Sequence, residues 1–252
     1  MFKSQLFKTL LACGIQAGSV FFAGTAAAQN TSELGIGVGG AVYRGEIAPS
    51  YQFRNNRPAV TAFYRKDITN PVTLRGGLTY GMLRADDINQ KGNNDAPLPL
   101  PAYRQAGLKG GLLEASAVIE YNFFDYHDRK DKIHFTPYVF AGIAGFYANT
   151  RVSTANASLA GVIDRSGAML GFAIPAGVGV KYAISPRWNL GAEVGARKTF
   201  TDNLDHLSTK NTQLNTSSER DLLINRHTQD WYFYNGISIS YTFYKIRCPE
   251  GQ

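Results

Sequence analysis

Eight stretches of this chain place apolar side chains at every second position, with glycine or small polar residues between them. A period of two is the mark of a half-buried β-strand, and eight such runs of about ten residues point to antiparallel sheet. In "VTLRGGLTYGML" (72–83), Val72, Leu74, Leu78, Tyr80 and Met82 alternate with Thr73, Arg75, Gly77, Thr79 and Gly81. "LLEASAVIEYNFF" (112–124), "IPAGVGVKYAI" (174–184), "WNLGAEVGARK" (188–198) and "WYFYNGISISYTF" (231–243) behave alike. So do "ELGIGVGGAVY" (33–43) and the shorter "AVTAFYRK" (59–66), whereas "TPYVFAGIAGFY" (136–147) is apolar in both phases.

The connections alternate too. Those after odd strands are long (44–58, 84–110, 149–170 and 200–229). The others are shorter: 67–71, 125–134 and the tight turn Ser185-Pro186-Arg187. Transmembrane barrels have this asymmetry, with short periplasmic turns and long external loops. No stretch approaches 18 consecutive apolar residues, so a membrane could be crossed only by a closed barrel, which satisfies every backbone group. The expected fold is an eight-stranded antiparallel transmembrane β-barrel with short periplasmic turns, long extracellular loops and both termini in the periplasm.

A soluble lipocalin-type barrel would alternate equally well, with its apolar face inward around a ligand. Two features favour the membrane. The non-apolar phase carries small residues and six charges of balanced sign, Arg75, Lys181 and Arg197 against Glu114, Glu120 and Glu193. Buried charges need partners, so these six are expected to form a paired lumenal network. Aromatics of the apolar phase (Tyr121, Phe123, Tyr182, Trp188, Tyr241 and Phe243) gather beside the short turns, as an interfacial girdle would.

The first residues, with Lys3 and Lys8, an apolar stretch from Leu10 to Phe22 and Ala26-Ala27-Ala28, have the layout of a secretory leader. Residues 1–28 are expected to be removed, leaving a barrel over 29–244 and a periplasmic tail over 245–252. "LLAC" (10–13) is poorly placed for a lipoprotein box. Loss of Lys3 and Lys8 takes the formal charge from +7 to +5. No basic block of nucleic-acid type remains; mild basicity fits contact with anionic lipid or lipopolysaccharide, and an ordinary solvated surface explains it equally well.

Three segments bear a specific likeness. "ELGIGVGGAVYRGEI" (33–47) resembles the first strand of the PorG-like family of outer-membrane barrels associated with type IX protein secretion, a glycine-rich strand running into a Tyr-x-Gly-acid turn. "VTLRGGLTYGMLRADD" (72–87) resembles that family's third strand, with Arg75, Gly77, Tyr80 and Gly81 in matching places. "SYTFYKIRCP" (240–249) resembles its ending, a short tail with Cys-Pro. Glu46 stands where the family more often has Asp, and the long loops carry no matching motif. The resemblance implies a component of the type IX secretion machinery that touches a periplasmic ring built from a lipoprotein and its partner.

Little points to catalysis. "GIGVGG" (35–40) is spaced like a dinucleotide loop, but that motif must open a helix, and here strand alternation runs through it. His127 and His134 sit in a charge-rich short connection. His206 and His227 lie in the last long loop near Asp202, Asp205 and Asp230. An acid–His pair at a barrel rim could activate water, so a rim hydrolase (protease or lipid deacylase) is the alternative, with a lipid- or ligand-binding surface barrel as a third reading. A cleavage activity lost in His206→Ala or His227→Ala would favour the hydrolase. No metal-ligand spacing occurs, and neither an enzyme nor a cofactor is expected. Gly236, Ile239, Tyr241 and Phe243 resemble the C-terminal assembly signal of outer-membrane barrels, although residues follow the closing aromatic. Cys248 would be the sole cysteine of a mature chain, a candidate for an intermolecular disulfide or a free thiol.

Overall fold

The computed structural model describes residues 31–49, 51–90, 98–126, 134–201, 204 and 230–244. The leader, the tail with Cys248, and His127, His206 and His227 lie outside them. The strands are β1 (Thr31–Arg44), β2 (Arg57–Asp67), β3 (Val72–Asp86), β4 (Ala106–Asn122), β5 (Phe135–Thr154), β6 (Arg165–Ala183), β7 (Trp188–Thr199) and β8 (Trp231–Tyr244). Each pairs antiparallel with its chain neighbours, and β8 closes on β1 over the whole strand, from Thr31↔Tyr244 to Arg44↔Trp231. The barrel therefore has no free edge to pair with another chain. Among the described residues, no helix is long and apolar enough to cross a membrane.

Polarity is inverted relative to a soluble protein. Ile36, Val194 and Ile237 are 63%, 56% and 64% exposed, and the same phase of every strand carries exposed Leu, Val, Ile or Tyr. Glu33, Arg65, Glu114, Glu120 and Lys181 point inward and are buried. An apolar belt on this scale, facing outward, requires a lipid solvent, which excludes the lipocalin arrangement. From Val72 to Met82 the outward phase of β3 is apolar or glycine. Those ten steps cover about 33 Å of strand, which projects to about 25 Å at a tilt near 40°, the height of a transmembrane apolar band. The ambiguous fifth strand resolves to odd residues outward and even residues inward. Tyr121, Phe123, Tyr182, Trp188 and Phe243 are exposed beside the short turns, with edge-to-face contacts Trp188–Tyr241 and Tyr241–Phe243 at 5.2 and 5.0 Å.

Glycines opposite inward aromatics let a narrow barrel hold large rings. Phe63 faces Gly35, Tyr138 faces Gly179, Phe140 faces Gly177 and Phe146 faces Gly171 across the ladders. A Cβ on any of these glycines would run into the ring opposite. The same logic acts at the Tyr43-Arg44-Gly45-Glu46 turn, where a Cβ on Gly45 would collide with Tyr43 and Asp230.

Two expected boundaries move. The connections read as 84–110 and 149–170 shrink to 87–105 and 155–164, because β3 to β6 continue beyond the apolar belt. The 155–164 connection is then shorter than 123–134 at the opposite end, so length alone does not separate the two ends strictly. Residues 45–49 close over the lumen, with Ile47 and Ala48 buried in its core, and 51–56 run over the outer face of the β1–β8 seam. There Tyr51 stacks edge-on against Phe233 at 5.3 Å, and Asn56 donates to Asn235 at 3.2 Å.

Candidate functional site

The most concentrated set of ionisable side chains fills the lumen nearer the short turns. All six charges read from the sequence point inward and pair there. Glu120 on β4 sits at the centre. It accepts from Arg75 of β3 at 2.9 Å and from Lys181 of β6 at 2.5 Å. Arg75 also pairs with Glu193 of β7. Arg197 reaches Glu193 at 3.7 Å and Glu114 at 3.4 Å.

Two further members escaped the sequence reading. Arg65 of β2 bonds Glu120 at 3.2 Å and Glu33 of β1 at 3.3 Å. Both lie in the inward phase and face each other across the β1–β2 ladder, so extending the alternation by one step at each strand end would have found them. With them the network holds four acids and four bases. Arg65 and Arg75 are also direct cross-strand partners. Like charges so placed repel, and the shared Glu120 carboxylate reconciles them.

Neutral donors complete the shell. Tyr126, Asn189 and Ser240 donate to Glu33 at 2.7, 2.9 and 3.1 Å, Tyr138 to Glu193 at 2.9 Å, and Tyr232 to Glu114 at 2.6 Å. Lys181 donates to Asn122 at 2.9 Å. Cation–π contacts add to this, with Arg65 over Phe63 at 4.2 Å and Arg75 over Phe140 at 4.9 Å. Every strand therefore contributes a side chain to one stitched layer. Tyr126 lies just beyond β4, and burial followed by the Glu33 carboxylate raises its phenol well above the ordinary range, so it stays a donor at any physiological pH.

Towards the long loops the lumen turns apolar. Tyr43, Ile47, Leu83, Leu108, Phe146, Val152 and Leu204 form a buried core. Tyr43 caps it by donating to Asp230 at 2.7 Å, and Arg104 bridges Asp87 at 2.7 and 2.8 Å above it. Asp230, a possible partner for a rim histidine, is fully buried and accepts from Tyr43 and from the Leu204 amide at 2.9 Å.

Space is scarce. A cavity of about 30 Å³ beside Arg75, Glu193 and Arg197 has room for one or two waters. A wider recess of about 400 Å³ opens at the short-turn end, lined by Tyr126, His134, Asn189 and Tyr244. Charges paired with one another and backed by an apolar core can hold strands in register. They leave no described route for a solute along the axis. Among the described residues, no cluster of His, Cys, Asp and Glu has the makings of a metal site.

Comparison with curated protein sequences finds no match. Several solved barrels resemble this one in architecture. A major outer-membrane protein of Thermus thermophilus is 11% identical with a TM-score of 0.47, covering 84% of this chain and 99% of its own. Neisserial surface protein A is 10% identical with a TM-score of 0.46, covering 84% and 97%. The attachment invasion locus protein Ail of Yersinia pestis is 12% identical with a TM-score of 0.44, covering 85% and 99%. The model of a family described as a domain of unknown function, DUF6089, matches residues 16–250, and the chain belongs to that family.

Proposed function

We propose that this barrel is a non-conducting structural and interaction subunit of the outer membrane, acting in type IX protein secretion through contact with a periplasmic ring. The observation that carries the first part is the lumen. Its ionisable groups are spent on one another, and the apolar core stacked on them closes the axis, so function is left to the two ends and the outer face. The link to secretion is supported by the three segments that resemble PorG-like barrels. In this reading the short turns and both termini lie in the periplasm, and the long loops face outward.

Deleting the gene should stop export of type IX cargo, and solubilised outer membranes should yield a ring lipoprotein with the tagged barrel. Normal export together with an unaccompanied barrel would contradict the proposal. Cys248 offers a covalent version of the same contact. On non-reducing gels of thiol-blocked cells, we expect a higher-mass band that disappears with reductant and in Cys248→Ala. A chain that runs wholly as monomer with Cys248 fully alkylated would remove the tether.

A further inference from the structure

The polarity of the wall reverses along β3, β4 and β5, and the reversal marks where lipid ends. Up to Met82 the outward phase of β3 is greasy. One step further, Leu83 and Ala85 are buried inward while Arg84 and Asp86 face out. On β4, Leu108 is buried inward beside outward Lys109, and on β5, Val152 beside outward Arg151. Strand segments with an apolar inside and a charged outside belong in water, so the switch lies at the headgroup level of one leaflet.

Three cations occupy that level in a single ladder row. Arg84 faces Lys109, and Lys109 faces Arg151, with neighbours about 5 Å apart. Asp86 takes the Nε of Arg84 at 3.0 Å. Lys109 and Arg151 are exposed, and neither has a hydrogen bond or ion pair among the described residues. Like charges directly opposite destabilise a sheet unless an anion lies over them. The wall beneath suits a chain-bearing anion. Met82, Gly111 and Asn149 form the next outward row, and Tyr80, Leu113 and Tyr147 the one after. The Tyr80 ring lies over Gly111, where a Cβ would come within 3.1 Å of its hydroxyl, and half-exposed Tyr80 and Tyr147 bracket Leu113 below. Lower down, a Cβ on Gly76 or Gly145 would meet nothing within 4 Å, which leaves the belt shallow there.

We propose that Arg84, Lys109 and Arg151 bind the phosphate of an outer-leaflet glycolipid, whose acyl chains lie along the shallow face of β3–β5. Arginine pairs and a lysine between them are well matched to a phosphate, the arginines as forks and the lysine as a point charge. Two other cations at this end are engaged elsewhere. Arg44 donates to the Pro49 carbonyl at 2.8 Å, and Lys198 lies over the Trp231 ring at 5.9 Å. The choice of leaflet rests on the orientation proposed above.

The test is native mass spectrometry of the full chain in non-ionic detergent, offered lipid A and enzymatically dephosphorylated lipid A. The protein should retain the phosphorylated form preferentially. A cation near an anionic surface is worth about fivefold in binding, so the double variant Lys109→Gln/Arg151→Gln should hold lipid A about 30-fold less tightly. Its retention of the dephosphorylated lipid should not change. Arg44→Gln/Lys198→Gln should match the parent, and millimolar inorganic phosphate should not displace the lipid. Equal retention of both lipids by the parent would overturn the site. So would an unaffected double variant, an equal loss in the control pair, or displacement by inorganic phosphate. Heat-dependent gel mobility checks that each variant is folded. Binding in detergent is independent of how the barrel sits in the cell, whereas protease access to the long loops on intact cells tests the orientation separately.

Discussion

Glu120→Gln should destabilise the barrel by about 3–5 kcal/mol, the usual consequence of removing one partner from a buried ion pair. Glu120 answers three cations. Without its charge, Arg65 keeps Glu33 and Arg75 keeps Glu193, but Lys181 is left with the Asn122 amide oxygen and the faces of Tyr126 and Tyr138. The orphaned ammonium dominates the loss. Adding Lys181→Met should therefore recover a large part of it, because a buried pair replaced by apolar groups is often near neutral. Urea unfolding in detergent micelles measures all three variants, and the double-mutant cycle isolates the coupling. Equal stability of parent and Glu120→Gln would mean that the carboxylate is hydrated rather than buried among cations.

Val194→Arg addresses the outer face. Val194 lies near the middle of β7, between Trp188 at one interface and Lys198 at the other, and is exposed. A charge placed there meets hydrocarbon and should cost about 2–4 kcal/mol, as arginine does near a bilayer midplane. Ala192→Ser, two residues away on the same face, should cost far less. Refolding yields into liposomes compare the two, and equal yields would reverse the assignment of faces.

Alternation made the barrel legible because lipid is an unusually uniform solvent. Each strand that crosses it must present the same polarity over the same height. The six lumenal charges could be named for the same reason, since period two fixes their direction. Glu33 and Arg65 were missed because they sit where alternation runs out, one at the head of β1 and the other beside outward Lys66. The strand ends beyond the belt were mistaken for loops for a related reason. At Leu83–Arg84 and Lys109–Leu108 the outside changes from lipid to water, the apolar residues swap faces, and the pattern reads as broken although the backbone ladder continues. Contacts such as Tyr43 with Asp230 or Arg104 with Asp87 join residues far apart in the chain, and no local period encodes them.

The central claim is a barrel turned inside out, apolar to lipid and stitched by charges within. Spin labels on a background lacking Cys13 and Cys248 test it directly in liposomes, through collision with lipid-soluble oxygen and with a water-soluble nickel chelate. Labels at outward Leu78, Val194 and Ile237 should collide with oxygen and be shielded from nickel. Labels at inward Thr79 and Ser238 should be shielded from both, and a label replacing Lys109 should meet nickel. Nickel access at Leu78, Val194 and Ile237, in a protein that stays soluble without detergent, would contradict the account.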